Sequence, residues 1–291
     1  MARTNDVGCL IIDDVDRALS RASVAGRELL VASAAAVRHA VLEFAERRRW
    51  SVVPYDRYEA WACQLAAASG LAWVALDPLF AADESGTQIT KRRYSRAALF
   101  RDGLSTGPVR REVLPLGSPV GLIDDAASSG FTLSYASGDI VAEGSRVTHV
   151  AVCASSRGAR ERIKANLRVR WSEYVPGDWR VIHLRDGCPY LPFSGRPVAP
   201  RSSVGNGNVV SLSPTAVVGS LWQVLWLDCG IRDAITQGRQ AVVRGFNELA
   251  GREATMQDLA MLGEEIPALV NEGREVGSLT TLASALSASI A

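Results

Sequence analysis

From Val120 to Leu133 the chain reads Val-Gly-Leu-Ile-Asp-Asp-Ala-Ala-Ser-Ser-Gly-Phe-Thr-Leu, and this stretch restricts the fold more than any other. Four apolar residues run straight into two carboxylates. An apolar run bounded in this way predicts a buried strand of a parallel sheet. The small residues after it predict a tight turn, and a helical pattern starts at Phe131. Free backbone N–H groups at a helix N-terminus, together with the helix dipole, favour an anion there. Ser128, Ser129 and Thr132 add hydroxyl donors at the same point. Gly130 is expected where backbone must approach that anion, so that a side chain there would block it. Asp124 and Asp125, at the strand end, suit a partner that donates hydrogen bonds or carries a metal. A phosphate on the turn and hydroxyls on the carboxylates together describe a ribose 5-phosphate.

The neighbouring sequence predicts the setting such a strand needs. Residues 25–49 read as a long amphipathic helix ending in Arg47-Arg48-Arg49, where the dipole favours positive charge. Ser51–Val53 reads as a short strand stopped by Pro54, and Tyr55–Tyr58 as a loop. Glu59–Ser69 reads as a helix closed by Gly70, and Leu71–Leu76 as the next strand. Strand, helix and strand in succession imply a parallel sheet. Asp77–Leu116 reads as one long connection, polar at first and then basic at Lys91, Arg92, Arg93 and Arg96. Residues 78–112 are expected to be mobile until a ligand holds them. After the helix Thr132–Ala142, Val147–Cys153 reads as another buried strand. The predicted class is therefore α/β, a parallel sheet flanked by helices, with a mostly helical C-terminal region.

Residues 1–24 read as a peripheral arm or a short helix. Past residue 166 the chain is first aromatic and Pro-rich, and Ser202–Leu212 carries the Gly-Asn-Gly-Asn turn of a hairpin. Helical patterns follow at Val217–Leu227, Ile231–Leu249, Met256–Leu262 and Leu279–Ile290. The domain division read from the sequence is thus 1–24, 25–165 and 166–291.

Composition narrows the classes. A formal net charge of +1 gives no overall electrostatic case for nucleic acid or an acidic membrane. Five scattered cysteines without a C-x-x-C pair read as reduced thiols, and the three histidines lack metal-ligand spacing. No signal peptide is expected, because four aspartates interrupt the N-terminal apolar run. Ala216–Leu227 is too short to span a bilayer. These readings together predict a cytoplasmic protein.

The order of residues in 123–132 resembles the phosphoribosyl pyrophosphate signature of the type I phosphoribosyltransferase family. There, an apolar strand leads to two acidic residues, two apolar or small ones, a Ser/Thr-rich turn with Gly, and then Thr. The likeness of layout extends over about residues 25–165 and loosely follows the ComF-related branch. Outside the signature it is one of topology. The resemblance implies transfer of the 5-phosphoribosyl group from phosphoribosyl pyrophosphate to a nitrogenous acceptor, with pyrophosphate released and Mg²⁺ required. It assigns Asp124 and Asp125 to the ribose hydroxyls and the metal. Ala127, Ser128, Ser129, Gly130, Phe131 and Thr132 fall to the 5-phosphate.

In the family the loop after the first core strand contacts pyrophosphate, which maps here onto Pro54–Tyr58 with Tyr55, Asp56 and Arg57. A long basic loop before the signature strand closes over the site. Lys91 or Arg92 would clamp the leaving group from it. Two residues depart from the pattern. Ser128 stands where purine-salvage members often carry an Asp, and a serine is no general base without a partner. Phe131 is bulky where small residues are usual. The alternatives are a non-catalytic phosphoribosyl-binding regulator and an interaction protein with a vestigial site. The C-terminal half is left open as hood, dimer interface or partner site, and a homodimer is compatible with it.

Overall fold

The structure, a computed structural model, describes residues 8–77, 79–80, 89–91, 117–188, 191, 197–198, 211–212, 225 and 227–254. In chain order it begins with β1 (Gly8–Asp13), α1 (Val15–Leu19), α2 (Val24–Arg48), β2 (Ser51–Pro54) and α3 (Tyr55–Ser69). Next come β3 (Ala72–Ala75), β4 (Ile89–Lys91), β5 (Pro119–Ala127), α4 (Phe131–Ala142) and β6 (Arg146–Ser155). The last are α5 (Arg157–Leu167), β7 (Arg170–Glu173), β8 (Trp179–His183), β9 (Pro197–Val198), β10 (Ser211–Leu212) and α6 (Cys229–Ala250). Two compact units emerge: residues 1–12 with 50–181, and residues 13–49 with 182–291.

The first unit is built on a five-stranded sheet of order β4-β3-β5-β6-β7, parallel throughout. Its central strand is β5, as its apolar sequence demands: a strand covered on both faces has no solvent side for polar residues. On one face Val74, Val120, Leu122, Val150 and Val152 join Leu133, Ala136 and Ile140 of α4 and Ala159 and Ile163 of α5 in one buried cluster. Alternation sends Trp73, Gly121 and Ile123 to the other face.

Gly121 is obligatory there. A Cβ on it would lie 2.3 Å from the ring of Trp73, which is fully buried. Gly121→Val is therefore expected to cost about 1–3 kcal/mol through overpacking. Thermal melts check this, and an unchanged melting temperature would refute the contact.

The second unit centres on α2 and α6. Glycine lets them approach closely: a Cβ on Gly238 would stand 2.2 Å from Ser33 Oγ, and one on Gly245 would stand 2.4 Å from Leu29. Ser23 caps α2 by accepting from the Gly26 N–H at 3.0 Å, and Asp228 caps α6 by accepting from Ile231 at 3.2 Å. Beneath α2 lies a buried charge cluster. Asp14 Oδ2 accepts from Arg185 Nη1 at 2.7 Å and meets His183 Nδ1 at 3.0 Å. Its Oδ1 accepts from the Arg185 backbone N–H at 2.8 Å.

Several elements differ from the sequence expectations. Residues 8–13, expected in a peripheral arm, form the middle strand of a separate sheet of order β2-β1-β8, with Leu10, Ile11 and Ile12 wholly buried. The aspartates that follow had masked a short apolar run. The long helix α2 belongs to the unit that holds residues 182–291, not with the parallel sheet. Tyr55–Tyr58, expected as a loop, is the first turn of α3. Pro54 caps it with extended backbone, and Asp56 suits the positive end of the dipole. Helix α5 had no counterpart in the sequence reading.

β9 and β10 pair antiparallel, Ser211 facing Val198, while the Gly-Asn-Gly-Asn turn expected within Ser202–Leu212 lies outside the described residues. α6 matches the helix expected over Ile231–Leu249. The helices expected at Met256–Leu262 and Leu279–Ile290, and nearly all of Val217–Leu227, lie outside the described residues. So does most of 78–112. Among the described residues no helix is long and apolar enough to cross a membrane.

Candidate functional site

Strand order locates the crevice. From β3 the chain goes outward to β4, then returns past β3 to β5, and from β5 it proceeds the other way to β6. The strand order thus reverses between β3 and β5. At such a switch point the connections leave in opposite directions and open a crevice at the carboxyl ends of the strands. Asp77 follows β3 at this end, and Asp124 and Asp125 lie near the carboxyl end of β5. All three are buried, at 2%, 7% and 5% exposure.

Helix α3 begins over the same end. The Tyr55 hydroxyl donates to Asp77 Oδ2, and the Tyr58 hydroxyl donates to the Asp124 carbonyl at 2.6 Å. Burial pushes both phenols well above the usual range, and the charges of Asp77 and Asp125 push them further. Both tyrosines therefore stay protonated and act as donors. Asp77 Oδ1 also accepts from the Leu79 N–H at 3.0 Å, which tightens the chain leaving β3.

Strand alternation separates the two signature carboxylates. Asp124 follows Leu122 toward α4, whereas Asp125 follows Ile123 toward α3, Tyr55 and Tyr58. Asp124 Oδ1 accepts from the Asp125 N–H at 3.1 Å. Among the described residues no group of three or more His, Cys, Asp or Glu is arranged to hold a metal. A hard cation held here would take one or two carboxylate oxygens and complete its shell from water and ligand oxygens, which is the usual habit of Mg²⁺.

After β5 the turn Ser128–Gly130 leads into α4, and its carbonyls are all engaged. The Ala127 carbonyl accepts from the Ser156 N–H at 2.9 Å, the Ser128 carbonyl from Ser156 Oγ at 2.6 Å, and the Ser129 carbonyl from Arg162 Nη1 at 2.9 Å. A trans peptide sets its N–H opposite its C=O, and the chain has no cis bond. The N–H groups of Ser128, Ser129 and Gly130 therefore face away from Ser156 and Arg162. The result is a row of donors at the start of a twelve-residue helix, beside exposed Ser128 and Ser129. That arrangement suits a phosphate.

Gly130 has φ +73°, a left-handed conformation that favours glycine. A Cβ there would press on Ile163 at 3.1 Å, on the α5 side. The expectation that it would block the anion directly is thus corrected: the glycine shapes the turn. Gly130→Ala is expected to cost about 1–2 kcal/mol from the left-handed backbone alone, and urea unfolding checks it. Phe131 is half exposed, at 51%, and Thr132 is partly buried.

The remaining expected residues scatter. Ser51–Pro54 does not join the parallel sheet, so the first strand of that sheet is β3. The residues leaving it, Leu76, Asp77, Leu79 and Phe80, stand after the first strand of the sheet, the position expected for Pro54–Tyr58. Tyr55 reaches the site through Asp77, while Asp56 and Arg57 are exposed and Asp56 Oδ1 accepts from the Arg57 N–H at 2.8 Å. Lys91 ends edge strand β4 in register with Ala75, rather than riding on a loop. Arg92, Arg93 and Arg96 lie outside the described residues.

Sequence reasoning missed Asp77, Ser156 and Arg162, and it placed Tyr58 only as the end of the loop Pro54–Tyr58. Only Asp77 left a signal, a carboxylate directly after an apolar strand.

Solved phosphoribosyltransferases overlap part of this chain. One from Corynebacterium diphtheriae is 19% identical, covers 40% of this chain and 70% of its own, and gives a TM-score of 0.32. The Mycobacterium tuberculosis orotate phosphoribosyltransferase in complex with inorganic phosphate is 20% identical over 40% of this chain and 67% of its own, at 0.31. The UMP synthase of Leishmania donovani is 16% identical over 44% of this chain and 25% of its own, at 0.28. No protein-family model and no curated protein matches the chain. The overlaps are partial and weak, and the case for function rests on the residues themselves.

Proposed function

We propose that the chain transfers the 5-phosphoribosyl group of phosphoribosyl pyrophosphate to a nitrogenous acceptor and releases pyrophosphate, with Mg²⁺ required. One observation carries this reading: a turn whose three carbonyls are held from the α5 side, leaving its N–H groups facing away from that side, follows buried Asp125 at a strand-order reversal. The N–H groups of Ser128, Ser129 and Gly130 hold the 5-phosphate. Asp125, on the α3 face, accepts from the ribose hydroxyls, whereas Asp124, expected to share that role, stands on the α4 face and accepts from the Asp125 N–H. Mg²⁺, if held by Asp125 with water and ligand oxygens, would supply positive charge to offset that of the departing pyrophosphate. The residues leaving β3, Leu76, Asp77, Leu79 and Phe80, flank the leaving group, and Lys91 or Arg92 is the clamp expected on it. Tyr55 and Tyr58, protonated throughout, keep Asp77 and the Asp124 backbone in place. Catalysis of this kind is positioning plus electrostatic stabilisation, and it needs no nucleophile from the protein.

The test is pyrophosphate release from phosphoribosyl pyrophosphate against a panel of nitrogenous bases, with and without Mg²⁺. Release that depends on one acceptor supports transfer. Tight binding with no release under any acceptor supports the second reading, a non-catalytic phosphoribosyl-binding regulator. Exposed Ser128 favours that second reading, because it brings no carboxylate to the acceptor side of the turn.

A further inference from the structure

We propose that Arg162 and Ser156 are positioning residues that fix and polarise the phosphate-binding turn, an inference that rests on the phosphate reading above. Three successive peptides, 127–128, 128–129 and 129–130, have their carbonyls held from one side. Two of those three bonds come from side chains, Ser156 Oγ and Arg162 Nη1. Neither residue is in the turn or in the helix that follows it. Both come from the segment after β6, where Ser156 is the N-cap of α5 and also accepts from the Ala159 N–H at 3.1 Å.

Ser156 thus couples the start of α5 to the turn through one hydroxyl. Arg162 lies on the exposed face of α5, and its reach to the Ser129 carbonyl spans 33 residues of sequence. A guanidinium on a carbonyl oxygen draws electron density from the peptide, and the opposite N–H becomes the better donor. That N–H belongs to Gly130, at the helix N-terminus. The turn is tied at its ends, where the Ala127 carbonyl accepts from the Ser156 N–H and the Gly130 carbonyl from the Ser134 N–H at 3.0 Å, and peptides 128–129 and 129–130 lie between them beside exposed Ser128 and Ser129. Without the two side-chain bonds, peptides 128–129 and 129–130 could turn their carbonyls toward the anion, which would repel it. The bonds remove that alternative before a ligand arrives.

The experiment measures affinity for ribose 5-phosphate and, separately, for inorganic pyrophosphate, by calorimetry on the full chain. The variants are Arg162→Ala, Arg162→Lys and Ser156→Ala. Arg162 is exposed, so its replacement is expected to leave the protein folded, and thermal melts verify that. Arg162→Ala should weaken ribose 5-phosphate about tenfold, from loss of one charge-assisted hydrogen bond and its polarisation. Pyrophosphate affinity should stay within about twofold, because that ligand lies away from the turn. Arg162→Lys should restore most of the loss, and hydrogen exchange at Ser129 and Gly130 should quicken in the Ala variant without ligand. Parent-like ribose 5-phosphate affinity in Arg162→Ala would overturn the proposal alone, as would equal losses for both ligands. A parent that does not bind ribose 5-phosphate would overturn the phosphate reading and this proposal together.

Discussion

Asp125→Asn is expected to reduce affinity for phosphoribosyl pyrophosphate by roughly one to two decades while leaving the protein folded. The carboxylate is 5% exposed and lies on the α3 face of the sheet, with Tyr55 and Tyr58. An amide keeps its shape and one acceptor oxygen but removes the charge. A hydrogen bond to a charged group contributes about 1.5–3 kcal/mol, which is the stated loss in affinity. Attraction for Mg²⁺ falls with it. The substitution also removes a charge that holds the Tyr55 phenol high, so the tyrosines should titrate at lower pH, an effect visible by ultraviolet absorbance. Calorimetric titration decides the first point. Parent-like affinity in a folded Asp125→Asn protein would mean that Asp125 does not hold the ribose.

Asp14→Ala should be the most damaging single change to stability, costing about 3–5 kcal/mol. One wholly buried carboxylate accepts from the Arg185 side chain and backbone and meets His183. Arg185 is itself 1% exposed. Alanine would take the Asp14 charge away from that buried guanidinium and leave a cavity beside it. Asp16→Ala is the matched control. Asp16 also pairs with an arginine, Arg38 at 3.0 Å, but its side chain is 76% exposed. Surface pairs of this kind contribute about 1 kcal/mol or less. Urea unfolding of both variants makes the comparison, and similar losses would show that burial of the Asp14 cluster does not matter to stability.

The turn sequence was legible because its signals are local. Apolar residues in a row, two carboxylates, small residues and the helical pattern after them specify strand, turn and helix through neighbours in sequence. The strand runs further than read, from Pro119 to Ala127, so the carboxylates stand within it and alternate between its faces. The helices 24–48 and 131–142 were legible for the same reason, with Ser23 and Gly130 at their starts. Pro54 was read as stopping a strand and opening a loop; it does end β2, but it caps α3 where the loop was expected. One extended residue satisfies either reading, and packing of Tyr55 and Tyr58 onto the sheet chose between them.

The sequence by itself determined that a buried parallel strand ends in two carboxylates and an anion-favouring turn. Tertiary structure alone decided what surrounds that turn. Which sheet a four-residue run such as Ser51–Pro54 or Ala72–Ala75 joins depends on an edge offered by distant strands, and no local pattern records it. Asp77, Ser156 and Arg162 are ordinary polar residues in sequence. They reach the site only because parallel pairing aligns the carboxyl ends of β3, β5 and β6, bringing residues 28 to 47 positions from the signature carboxylates or the turn within hydrogen-bond range of one end of the sheet.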